Sequence, residues 1–164
     1  WGVEPLTEGQ AACVSTMSYN EYWVVRDAGY SPEQLTVFKY QSEGAATLED
    51  GLYVHEKNLS DAAFKDKMVR FVRASMKGWK YAEANPKEAA MIILDNDDAG
   101  VQTEKHQVRM MGEIAKLTAG SNGSLDEADY ERTVKVLMSG DSDPVITKKP
   151  SGAWTNEITN AALN

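Results

Sequence analysis

The chain has 164 residues, 42% of them hydrophobic and 26% charged, an ordinary globular composition that is long enough for a real core. Its net charge of -8, from 25 acidic against 17 basic residues, disfavours nonspecific binding to nucleic acid or to an anionic membrane, both of which need a basic surface. No apolar run approaches the length of a membrane span, and a single cysteine, Cys13, excludes an internal disulfide.

In chain order, residues 1–10 (WGVEPLTEGQ) are polar with Gly and Pro and read as a frayed end. Residues 11–18 (AACVSTMS) set Val14 and Met17 among small residues, the pattern of a short buried strand. Tyr19-Asn20-Glu21-Tyr22-Trp23 then opens a helix predicted to run to Ala28, with Gly29 as its stop. This opening supports two readings. As a ligand site, it occupies a strand-to-helix turn, where α/β sheets place their ligands, and a helix N-terminus offers free N–H groups. Tyr19, Tyr22 and Trp23 supply flat apolar faces there, while Asn20 and Glu21 supply directed hydrogen bonds. As plain structure, Asn20 caps the helix, Glu21 favours its first turn and the aromatic rings are core.

Residues 30–34 read as a turn or a single helical turn, and Leu35 to Tyr40 (LTVFKY) as a strand. Residues 41–45 form a polar loop in which Gly44 permits a turn and Ser42 and Glu43 are candidates to face a ligand, or are simply solvated. Asp50 to Glu56 alternates around Leu52 and Val54 as a third strand, and Ser60-Asp61 caps the entry to a helix. His55 and His106 are the only histidines, and their spacing suggests neither a metal site nor an acid–base pair.

The longest amphipathic stretch follows. Phe64, Met68, Phe71, Val72, Ser75, Trp79 and Ala82 recur at three-then-four spacing and share one helix face. Asn85 ends that helix because a residue before proline is pushed out of the helical region, and Pro86 restarts it with Asn85 as N-cap. The second helix carries Ala89, Ile92 and Ile93 to an acidic end, Asp95-Asn96-Asp97-Asp98. That run lacks the ligand alternation, central glycine and terminal glutamate of a calcium loop and reads as a solvated helix end. Further helices are predicted over Thr103–Leu117 and Asp126–Met138, with Met110, Met111 and Met138 as core filling. After an extended stretch from Pro144 to Pro150, a last short helix begins near Gly152–Asn156 and is docked by Trp154 and Ile158.

The wording of the central stretch, R-F-V-R-A-x-x-K-G-W-x-Y-A-x-x-N-P-K-E-A-A from Arg70 to Ala90, resembles the C-terminal lobe of periplasmic substrate-binding proteins of ABC importers. More narrowly, it is similar to the thiamine-pyrimidine-precursor, or NMT1/THI5-like, family and to related sulfonate and nitrate binders. The resemblance is clearest from Ala12 to Ala99. It implies an α/β fold of the two-lobe periplasmic-binding type II class, present as a C-terminal fragment. Residues 1–45 would end the distal lobe, with the ligand-side turn and hinge strand, and residues 46–164 would form the returning, mainly helical part of the other lobe. Upstream, the resemblance implies another lobe and a signal peptide, hence a periplasmic or secreted protein. Tyr19 and Glu21 match an aromatic residue and a glutamate of the family's ligand turn, and residues 41–45 match a segment bordering the cleft. The implied ligand-binding set is therefore Tyr19, Asn20, Glu21, Tyr22, Ser42, Glu43 and Gly44.

The function this implies is capture of a small polar nitrogenous ligand, such as a thiamine-precursor pyrimidine, for an ABC transporter permease. It requires no cofactor, no metal and no catalytic residue, and the sequence carries no P-loop, GxSxG or paired metal-ligand motif. An enzyme of thiamine-pyrimidine biosynthesis with the same fold is the alternative; such enzymes carry a cysteine-rich motif, against the lone Cys13 here. A helical interaction domain is the third possibility, and self-association is expected if a face meant for a missing lobe is exposed.

Overall fold

Helix boundaries follow the capping chemistry of the chain. The computed structural model describes residues 2–140 and 142–163, so Trp1, part of the expected frayed end, lies outside the described residues. Seven α-helices occur among the described residues: α1 (Glu4–Thr7), α2 (Glu21–Asp27), α3 (Ala62–Ala84), α4 (Pro86–Asp95), α5 (Glu104–Thr118), α6 (Glu127–Leu137) and α7 (Glu157–Leu163). Short 3-10 turns occupy Pro32–Gln34 and Glu56–Ser60. The side chain of Asp61 accepts from the N–H groups of Ala63 and Phe64 at the start of α3. Thr103 does the same for His106 at the start of α5, and Asp126 for Ala128 and Asp129 at the start of α6. Each such cap stabilises its helix by about 1 kcal/mol.

The expected alternation of strands and helices is not present: no strand forms among the described residues. The segments 11–18, 35–40 and 50–56 carry β-prone residues, but a strand exists only where a second segment offers its backbone groups. None does so here. Val37, Phe38 and Tyr40 are accordingly 54%, 69% and 51% exposed, and Tyr53 is 83% exposed. The observed architecture is therefore helical rather than a two-lobe α/β fold. In place of a frayed start, Glu4–Thr7 makes one helical turn with Pro5 in its first positions, and Val3 before it is buried.

The chain divides into two compact units. The first comprises the described residues up to Thr36 together with Lys77–Gly120. Its core is the α4–α5 pair, where Ala89, Ala90 and Met111 are buried and Ala82 and Val108 pack on them. Alanines at the contact allow the two helices to approach closely. Asn85 and Pro86 separate α3 from α4 as the sequence predicts, but Asn85 does not cap α4. Its Nδ2 donates instead to the Tyr81 carbonyl at 2.9 Å, closing the end of α3. The acidic run after α4 also shapes the backbone. The Asp97 carboxylate accepts the Gln102 N–H at 2.6 Å and folds the α4–α5 connection around Gly100.

The second unit comprises Val37–Met76 and the described residues from Ser121 onward. Here α3 side chains tie down α7, with Glu157 of its first turn paired to Lys65 and its last carbonyls, Ala161 and Ala162, accepting from the Arg73 guanidinium at 3.1 and 3.0 Å. A cation at a helix C-terminus is the favourable sign. Asn156 spans the gap to Leu125 with both ends of its amide, accepting the Leu125 N–H and donating to the Leu125 carbonyl, each at 2.9 Å. Trp154 packs on Tyr130 at 5.9 Å between ring centroids, in keeping with its expected docking role.

Candidate functional site

The turn that leads into α2 is closed on itself. The Met17 carbonyl accepts from the N–H groups of Asn20 and Tyr22, and the Met17 N–H donates to Glu21 Oε2 at 2.8 Å. Glu21 Oε1 accepts from Asn20 Nδ2 at 3.3 Å. Tyr19, Asn20, Glu21, Tyr22 and Trp23 are all half-buried.

Asn20 occupies the N-cap position of α2, yet its side chain caps nothing. It reaches His106, with Oδ1 2.8 Å from the imidazole Nε2. A carboxylate only accepts, so the Asn20 NH2 must face Glu21 and its carbonyl oxygen must face His106. The imidazole Nε2 is then the donor. Two turns further along α2, Asp27 ties the same two helices: it accepts from Arg109 Nη1 at 2.9 Å and from Lys105 Nζ at 3.0 Å. The Arg109 hydrogen bond first, then that of Lys105, holds the Asp27 carboxyl below its ordinary value. The Arg109 guanidinium also lies over the Trp23 ring, 4.9 Å from its centroid, and Trp23 meets Tyr22 edge to face at 5.3 Å.

These ties leave an open cleft of about 390 Å³ in the first unit. Asn20, Glu21, Val24 and Asp27 line it from α2 and its entry, Val101, Gln102, Thr103 and His106 from α5 and its entry, and Gly2, Val3 and Glu4 from the N-terminal segment. Its volume falls in the range of small-molecule sites, about 300–1,000 Å³. Gln102 is held in place there by the buried Gln107, whose Nε2 donates to Gln102 Oε1 at 2.6 Å.

Of the residues expected to bind a ligand, the structure brings Asn20 and Glu21 to this cleft. Tyr19 and Tyr22 share their turn without lining it. Ser42, Glu43 and Gly44 lie in the second unit, exposed. Gly44 has φ +70 and closes a turn in which the Ala45 N–H reaches the Tyr40 carbonyl at 2.9 Å and the Gly44 N–H reaches that of Gln41. That is the glycine-terminated arrangement of helix ends, and it accounts for the glycine without a ligand. His106 of α5 and Gln102 and Thr103 of its entry do not stand out in the sequence as ligand residues. No local pattern marks them, because they meet the α2 turn only through tertiary packing. His55 and Cys13 are exposed, and among the described residues no three His, Cys, Asp or Glu side chains are grouped to hold a metal ion. No helix among them is long and apolar enough to cross a membrane.

The model of one protein family, described as NMT1/THI5 like, matches residues 2–89. That is more than half of the chain and includes the α2 turn and the restart at Pro86. No curated protein and no solved structure matches the chain.

Proposed function

The chain belongs to the NMT1/THI5-like family, and from that premise we propose that it serves as the substrate-binding component of an ABC importer and captures a small polar nitrogenous ligand such as a thiamine-precursor pyrimidine. Membership is consistent with a substrate-binding or a related biosynthetic protein and with binding of a small molecule. The observation that carries the proposal is the family match across residues 2–89, which contains the turn bearing Asn20 and Glu21.

The cleft supports the nitrogenous ligand over a sulfonate or nitrate. Glu4 and Glu21 contribute carboxylates to its lining, the Asp27 carboxylate there is paired with Lys105 and Arg109, and no lysine or arginine itself lines the cleft among the described residues. An anion there would meet like charge, whereas N–H donors of an aminopyrimidine would meet acceptors. In this reading the protein works outside the cytoplasm and delivers its ligand to a permease. The apolar side chains left exposed at Val37, Phe38, Leu52 and Tyr53 would favour self-association. No chemistry on the ligand is required.

Calorimetric titration of the full chain with an aminopyrimidine, ethanesulfonate and nitrate tests the proposal. Saturable binding of the aminopyrimidine alone supports it. Preference for either anion, or no binding at all, overturns it.

A further inference from the structure

His106 lies outside the stretch that the family model matches, yet it lines the cleft beside residues that lie inside that stretch. The way Asn20 is used is the clue. Asparagine at an N-cap ordinarily spends its side-chain oxygen on the helix's own N–H groups. Here that stabilisation is forgone, and Oδ1 is turned to His106 Nε2 at 2.8 Å. The arrangement is held from behind. Lys105 and Arg109, on either side of His106 in α5, both bind Asp27 of α2, and the Thr103 hydroxyl accepts the His106 N–H at 3.3 Å. The imidazole is thus carried on a fixed first turn.

We infer that His106 is a positioning residue of the ligand cleft: its Nε2–H holds the Asn20 amide with Oδ1 toward α5 and Nδ2 toward Glu21, so that the cleft presents one fixed set of donors and acceptors. This rests on the ligand-binding reading above. Without the histidine, the Asn20 side chain is free to rotate back to its capping role on α2, and the Glu21 carboxylate loses its neighbour's NH2. Each Asn20 group keeps one further hydrogen-bonding position beyond those described, an N–H on Nδ2 and a lone pair on Oδ1. Those are the positions a ligand edge carrying both a donor and an acceptor would use. The device recruits α5 into a site that the matched stretch alone would build from the α2 turn.

The test uses the full chain with an aminopyrimidine as the probe. His106→Ala should weaken binding about tenfold, the scale of one lost hydrogen bond, while His106→Gln, which keeps a side-chain N–H donor, should stay within about threefold of the parent. Because His106 acts through Asn20, adding His106→Ala to Asn20→Ala should cost less than about twofold more, as expected for coupled neighbours. A long-range proton–nitrogen correlation spectrum should show the His106 ring protonated at Nε2 without ligand, with ring shifts that move on adding the probe. Parent-like affinity of His106→Ala, additive losses in the double variant, or an Nδ1–H tautomer would each overturn the inference while leaving the binding reading intact. A parent chain that binds no aminopyrimidine would overturn both.

Discussion

His106 Nε2 lies 2.8 Å from Asn20 Oδ1, joining positions 86 apart in the chain. One partner sits at the entry to α2 and the other in the first turn of α5. The pair places α5, which the family model does not reach, against the turn that it does. It converts an asparagine that would read as a helix cap into a cleft residue of fixed orientation.

The Asp27 tie should be visible in the pH dependence of stability. Asp27 is held below its ordinary value of 3.8 by Arg109 first and Lys105 second. A lowered folded pKa stabilises the fold above the unfolded value and is lost as pH falls through the folded one. Asp27→Asn should therefore cost about 0.5–1 kcal/mol near neutrality, the modest scale of a solvent-accessible ion pair. The gap from the parent should close as pH drops below 3.8. Urea unfolding at a series of pH values measures it, and a gap that stays constant into acid would sink the assignment.

Removing the Asn156 side chain should be costlier. It accepts the Leu125 N–H and donates to the Leu125 carbonyl, so Asn156→Ala strips a donor and an acceptor of one half-buried residue at once. A loss of about 1–3 kcal/mol is expected from those unsatisfied groups. Asn156→Asp, which can still accept but not donate, should fall between the two. Chemical denaturation of the three proteins reads the order.

Gly44 gives a prediction that tests its role in the turn. Its φ is +70, and a Cβ there would meet nothing within 4 Å, so the cost of a side chain is conformational alone. Gly44→Ala should destabilise by about 1 kcal/mol, and Gly44→Asn by less, because asparagine tolerates the left-handed region. Equal stability of all three in chemical denaturation would show that the turn does not depend on this conformation.

The helices were legible because their signals are local. Asp61, Thr103 and Asp126 stand where a cap must stand, and Pro86 marks a restart that only the first helical position allows. Even so, the partner of Asn85 was not readable: the side chain serves the end of α3 rather than the start of α4, a choice between two adjacent helix ends that composition does not make. The segments 35–40 and 50–56 have strand-forming residues, but pairing is a property of two segments, and none pairs with them here. On the cleft, the α2 turn was readable from its aromatic and polar residues. The α5 wall was not, since the contact between Asn20 and His106 leaves no trace in local spacing.

The central claim is that the turn before α2 binds a small nitrogenous ligand, and Glu21→Gln tests it most directly. A glutamine at this position can keep one acceptor for the Met17 N–H, but its amide nitrogen would oppose Asn20 Nδ2 and present no charge to the cleft. Titration of the full chain with an aminopyrimidine should give saturable binding that Glu21→Gln weakens about tenfold. Equal affinity of the two proteins, or a folded parent that shows no saturable binding, would contradict it.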